Sequence, residues 1–260
     1  MHKLFIFFMS FYFAFNSPLL ANQVDSFDEL VIKGKNLIEE GVRKWDDKIL
    51  LQARSLFERL EQNQEMKWLV NYYIGYADYR LVIYYQTQNK TDLQIKYLDD
   101  AIDNIQASLD EREKFADAHA LLSSLLGQKI SIDPASAMKL GIEAGIAIRD
   151  AMKYGKKNPR VWLFSAISAY FTPEQYGGSK SRALEEMQHS VGLFKDEKLP
   201  DPRLPDWGYS EAWTWLGKFN LEAGKLESAK QNLEAALKID PENGFAKIVQ
   251  SELKKKMTEK

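Results

Sequence analysis

Between Ser210 and Asn243, small and bulky apolar residues fall at a spacing that suits two helices packed face to face: Trp213, Leu216 and Gly217, then Ala229, Leu233 and Ala236, then Pro241. Antiparallel helices of about a dozen residues approach closely only where small side chains line the contact, here Gly217, Ala229 and Ala236. Trp213, Leu216 and Leu233 supply apolar area on the facing stripes, roughly 1.5–3 kcal/mol each when fully buried. Pro241 cannot continue the second helix and pre-sets the entry to the next.

The same phase recurs upstream. Ala53, Phe57 and Leu60 have the spacing of a second helix, and one register further on stand Ile74 and Gly75. Ala144, Ile148 and Ala151 lead in register to Trp162 and Ala166, and Ala183, Met187 and Ser190 form another second-helix triplet. The spacing W-x2-L-G…A-x3-x-x2-A-x4-P resembles that of the tetratricopeptide-repeat family. The resemblance implies an all-α solenoid of about five irregular helical hairpins, near 27–64, 65–113, 114–156, 158–194 and 208–240, with a capping helix near 242–257.

Departures from the template mark insertions. Seven extra residues between Gly75 and the Leu98/Ala101 pair amount to two helical turns, which leaves the apolar face unrotated and predicts long helices there. Lys129 to Pro134 reads as a loop. Thr172-Pro173 followed by Tyr176-Gly177-Gly178 breaks a helix, and Lys195 to Asp206, with prolines at 200, 202 and 205, reads as non-helical.

With 260 residues, 45% of them hydrophobic, the chain can bury a sizeable core, and no stretch shows β-type alternation. The net charge of −2 and the lack of a basic face argue against nucleic acid as a partner. Residues 1–21 have the layout of a secretory signal peptide: Lys3, an apolar run from Leu4 to Phe15, then Leu20 and Ala21 before a polar stretch. Cleavage after Ala21 would place residues 22–260 in the periplasm or outside the cell; the alternative is an uncleaved anchor. There is no cysteine for a lipid anchor or a disulfide. Any further membrane contact is expected only through a membrane complex.

Catalysis has little to build on. Beyond residue 21 only His119 and His189 remain, with no nucleotide-binding, hydrolase or zinc-binding motif, so neither a catalytic residue, a metal site nor a cofactor is expected. The informative residues are aromatic. The segment holding Trp68, Tyr72, Tyr73, Tyr76, Tyr79, Tyr84 and Tyr85 carries more hydroxyls than a core readily satisfies.

In the family that this chain resembles, the first helix of each pair lines a concave groove. Carried onto this sequence, the resemblance implies a partner-binding groove made by Tyr72, Tyr76, Tyr79 and Arg80, by Arg160, Ile167 and Tyr170, and by Lys218, with Phe171, Glu211 and Glu222 in further groove positions. The lysine and asparagine that grip a C-terminal carboxylate in chaperone-binding members are replaced here by Tyr72 with Tyr76, Leu163 with Ile167 and Thr214 with Lys218. The C-terminal 100 residues also resemble a group of exported bacterial repeat proteins that share a Thr-Pro-x-x-aromatic-Gly-Gly break and a later Trp-Gly, here Trp207-Gly208. The expected function is that of an exported adaptor holding a protein or peptide in its groove, with a subunit of an envelope assembly or a small-ligand-binding periplasmic component as alternatives.

Overall fold

Glycine and alanine decide where these helices touch. A computed structural model describes residues 25–62 and 66–258, and among them there are eleven α-helices and no strand. The region read as a signal peptide lies outside the described residues. The helices are α1 (Phe27–Lys44), α2 (Asp47–Glu58), α3 (Lys67–Thr87), α4 (Thr91–Glu111), α5 (Ala116–Ile132), α6 (Ala137–Tyr154), α7 (Pro159–Phe171), α8 (Lys180–Asp196), α9 (Tyr209–Glu222), α10 (Leu226–Ile239) and α11 (Gly244–Thr258). They pack as consecutive hairpins, α1 on α2 through α9 on α10, and α11 closes the stack against α9 and α10. This is the all-α hairpin solenoid that the residue spacing predicts.

In three of the hairpins a glycine faces a bulky partner. A Cβ on Gly75 would lie 2.8 Å from the Ile105 side chain of α4, one on Gly217 would lie 2.9 Å from Leu233 of α10, and one on Gly34 would lie 2.4 Å from the Phe57 ring of α2. Helix starts are fixed locally as well. Ser26 and Glu29 form a reciprocal capping box on α1, and Asn158 caps α7 with Pro159 in its first turn.

The insertion between Gly75 and Leu98 lengthens α3 and α4 to 21 residues each, as whole added turns require. The reading of 129–134 as a loop is corrected: α5 continues to Ile132, because Ile130 and Ile132 pack on the main core and Lys129 pairs with Asp99 at 2.6 Å. The chain leaves the helix only at Asp133, where the following proline disfavours helical backbone.

Asp78 on α3 is completely buried and ties three helices together. The Arg54 Nε of α2 donates to its Oδ1 at 2.6 Å, and the Asn104 amide of α4 donates to its Oδ2 at 3.4 Å. Burial raises its carboxyl to about 7, against the lowering effect of Arg54. Between 3.8 and about 7 the folded chain therefore keeps a proton that the unfolded chain has lost. Stability from this group falls as pH rises through that window, by at most about 1.4 kcal/mol per pH unit. Urea unfolding at pH 5 and pH 7.5 measures that slope, which is expected to be shallower in Asp78→Asn; an unchanged slope would mean that Asp78 is ionised throughout.

Candidate functional site

The first helices of the hairpins, α1, α3, α5, α7 and α9, share one face of the stack, and most of the groove positions named from the sequence lie on it. Three joints between hairpins are four residues long: 112–115, 155–158 and 240–243. The joint between α8 and α9 runs from 197 to 208, and it does not take the short way. It crosses the first-helix face as far as α1.

Both the backbone and the side chains of this segment are held. Lys35 of α1, itself buried, donates to the carbonyls of Pro202 at 2.6 Å and Leu204 at 2.8 Å, and it pairs with Asp206 at 3.0 Å. The Tyr73 hydroxyl donates to the Arg203 carbonyl at 2.6 Å. The Arg203 guanidinium reaches back to Asp28 at 2.8 Å. At the end of the segment the Trp207 ring stacks on Tyr76 with centroids 4.5 Å apart, its indole N–H donates to the Tyr72 hydroxyl at 3.2 Å, and Phe164 meets it edge-on at 5.8 Å. Gly208 then turns into α9 with φ of +111°, and a Cβ there would lie 2.8 Å from Phe194.

Two arginines frame that ring. Arg80 lies over it at 5.4 Å and donates to the Tyr76 hydroxyl at 2.7 Å and to Glu211 of α9 at 2.6 Å. Arg160, only 2% exposed, donates from Nε to Asp117 at 2.6 Å and from Nη1 to the Trp207 carbonyl at 3.1 Å, and it forks onto Glu197. Asn158 completes Asp117 at 2.6 Å. Burial pushes the Tyr72 and Tyr76 hydroxyls well above their ordinary range, so both stay protonated. Burial also raises Glu39, which is close enough to Arg80, Glu211 and Asp206 to sense their charges.

Five of the predicted groove residues, Tyr72, Tyr76, Tyr79, Arg80 and Arg160, are therefore buried and not open to a partner in this structure. The physical reason is the long joint, whose Trp207 and backbone occupy the space that a partner would use. Their hydroxyls are satisfied internally, which removes the argument that so many tyrosines could not share a core. Ile167, Tyr170 and Lys218 are half-buried. They lie further along the same face, and here the surface is open. Tyr170 stacks on Phe219 at 4.0 Å and donates to Glu222, while Lys218 pairs with Glu222 at 3.2 Å. Burial would raise Glu222, yet these hydrogen bonds hold its carboxyl below the ordinary value.

Around them runs a row of rings from three alternate helices: Phe171 of α7, Trp215 of α9 and Phe245 of α11. Centroids are 5.8 Å apart from Phe171 to Trp215 and 4.9 Å from Trp215 to Phe245. Phe171 is 59% exposed, and beyond the row Ile248 is 60% exposed. The Trp215 indole N–H is buried with no hydrogen-bond acceptor among the described residues. Sequence reasoning named Phe171 as a groove position but missed Trp215 and Phe245. The three rings stand at the thirteenth, seventh and second positions of their helices, so no shared repeat position marked them in the sequence. Among the described residues no group of three acidic, histidine or cysteine side chains is placed to hold a metal ion, and no helix is long and apolar enough to cross a membrane.

The tetratricopeptide-repeat family model matches residues 210–243, the hairpin α9–α10 with its flanking turns. The hairpin α9–α10 is a tetratricopeptide repeat, and the chain as a whole shares the all-α hairpin fold of such proteins. A thermophilic member of the family from Thermus thermophilus has a similar fold, with a TM-score of 0.58 at 15% identity over 85% of this chain and 98% of that one. The HusA haemophore from Porphyromonas gingivalis is also similar, with a TM-score of 0.64 at 18% identity over 77% of this chain and 96% of that one. At these identities the likeness is one of fold. No curated protein matches the sequence. Tetratricopeptide-repeat proteins generally act as non-catalytic scaffolds that bind other proteins.

Proposed function

We propose that this chain is an exported scaffold that docks a protein or peptide partner on the open C-terminal part of its first-helix face. The observation that carries the reading is the partly exposed row Phe171, Trp215 and Phe245, with Ile248 and the Lys218 ammonium beside it. Rings in a row on neighbouring helices are rigid anchors of the kind that dominate binding energy, and a single cation gives orientation. Export rests on the sequence pattern of residues 1–21, and N-terminal sequencing of the protein recovered from cells tests it: a start at Asn22 supports it and a start at Met1 opposes it.

The docking reading is tested by cross-linking the chain in its own cells and comparing wild type with Trp215→Ala and Lys218→Glu. A protein captured by wild type and lost from both variants, which keep their helicity, is the expected result. The same capture by all three would contradict it. Haem, prompted by the likeness to a haemophore, is the small-molecule arm: a saturable change in the haem absorption spectrum that Trp215→Ala abolishes would replace a protein partner by a flat apolar ligand on the same rings.

A further inference from the structure

The covered half of the first-helix face has the features of a recognition groove with its ligand in place. Three of the other joints between hairpins take four residues and the one between α2 and α3 takes eight, whereas 197–208 takes twelve, so four to eight are surplus to the connection. Those surplus residues adopt no helix and lie across α1, α3 and α7. The groove holds them as a peptide-binding groove holds an extended chain: Lys35, Tyr73 and Arg160 donate to four backbone carbonyls, of residues 202, 203, 204 and 207. Side-chain recognition adds two acids and a tryptophan, while Arg203 pairs with Asp28 of α1. Glu197 and Asp206 are read by Arg160 and Lys35, and Trp207 enters a cage of two tyrosines, a phenylalanine and two arginines.

We propose that residues 197–208 are a tethered pseudo-ligand, and that the groove beneath them recognises an extended partner segment of the same chemistry: acidic at both ends, with a tryptophan after the second acid. The partner segment replaces the tether by competing for Lys35, Arg160 and the Trp cage. The tether thus closes this site until a competitor with matching charges and a ring arrives. Such a tether acts through effective concentration, so a free segment of equal chemistry binds poorly to wild type and well when the tether is weakened. The site is separate from the open ring row and does not depend on the reading given for it.

The test uses the full chain and a fluorescein-labelled peptide with the sequence of residues 195–208, followed by anisotropy. Glu197→Gln combined with Asp206→Asn loosens the tether at its charged ends while leaving the Trp cage intact. The double variant is expected to bind the peptide at least tenfold more tightly than wild type, and a peptide with the tryptophan replaced by alanine is expected to lose that binding. No binding by a folded double variant, or equal binding that ignores the tryptophan, overturns the proposal. Should the double variant fail to fold, hydrogen exchange of the Trp207 indole N–H in wild type decides instead. Exchange at least tenfold faster than the slowest α3 amides means that the segment lifts off while the helices stay formed. Exchange at the same rate means that it leaves only on global unfolding, and overturns the proposal.

Discussion

Arg160→Met lowers the unfolding free energy by about 3–5 kcal/mol, the range for removing one partner from a buried ion network. Asp117 would keep only Asn158, and Glu197 would keep no cation, although both lie close to or within the core. Methionine fills much of the volume, so the loss reports orphaned charge rather than a cavity. Arg160→Lys retains the charge but not the fork that spans Asp117, Glu197 and the Trp207 carbonyl, and an intermediate loss is expected. Burial would lower the protonation tendency of this arginine, yet Asp117 and Glu197 raise it, so it is charged at every pH at which the chain folds. Urea denaturation of the three proteins at neutral pH checks the order. A loss below about 1 kcal/mol for Arg160→Met would mean that the network is no tighter than an exposed pair.

Phe57→Ala is expected to cost a similar amount, about 3–5 kcal/mol, for a different reason. The ring is fully buried, stacks on Tyr73 at 4.9 Å, and lies where a Cβ on Gly34 would need to be. This is the contact that sets the register of α1 on α2. Gly34→Leu alone should also destabilise by overpacking, by about 1–3 kcal/mol. Combining it with Phe57→Ala should recover part of the loss, because the new side chain enters the space that the ring vacates. Additive losses in the double variant would show that the two positions do not meet.

The hairpins were legible in the sequence because their contacts are local and periodic. Gly217 with Leu233 and Ala229, and Gly75 with Ile105 and Ala101, repeat one packing problem within a few tens of residues. The groove was only half legible. The family positions fall on α3, α7 and α9, where Arg80 pairs with Glu211 and Tyr170 meets Glu222. What they could not give is the destination of the proline-rich joint. Its partners on α1 and α3 lie 130 to 175 residues away, and several are met through carbonyl oxygens, which leave no mark in a pattern of side chains. The tyrosine excess was misread for the same reason, because the acceptors and donors that satisfy Tyr72 and Tyr73 come from residues 203 and 207. The loop expected at 129–134 failed on a smaller point, since Ile130 and Ile132 still had a core to reach.

The central claim is that one half of the first-helix face is sealed by residues 197–208 while the other half is open. Hydroxyl-radical footprinting of the native chain, read residue by residue by mass spectrometry, tests it directly because the two halves differ in exposed aromatic area. Tyr72, Tyr76 and Trp207 should be protected, while Phe171 and Ile248, each normalised to the intrinsic reactivity of its side chain, should be modified at rates close to that of Tyr176, which is 75% exposed. Modification of Trp207, Tyr72 and Tyr76 at the rate of Tyr176 would contradict it.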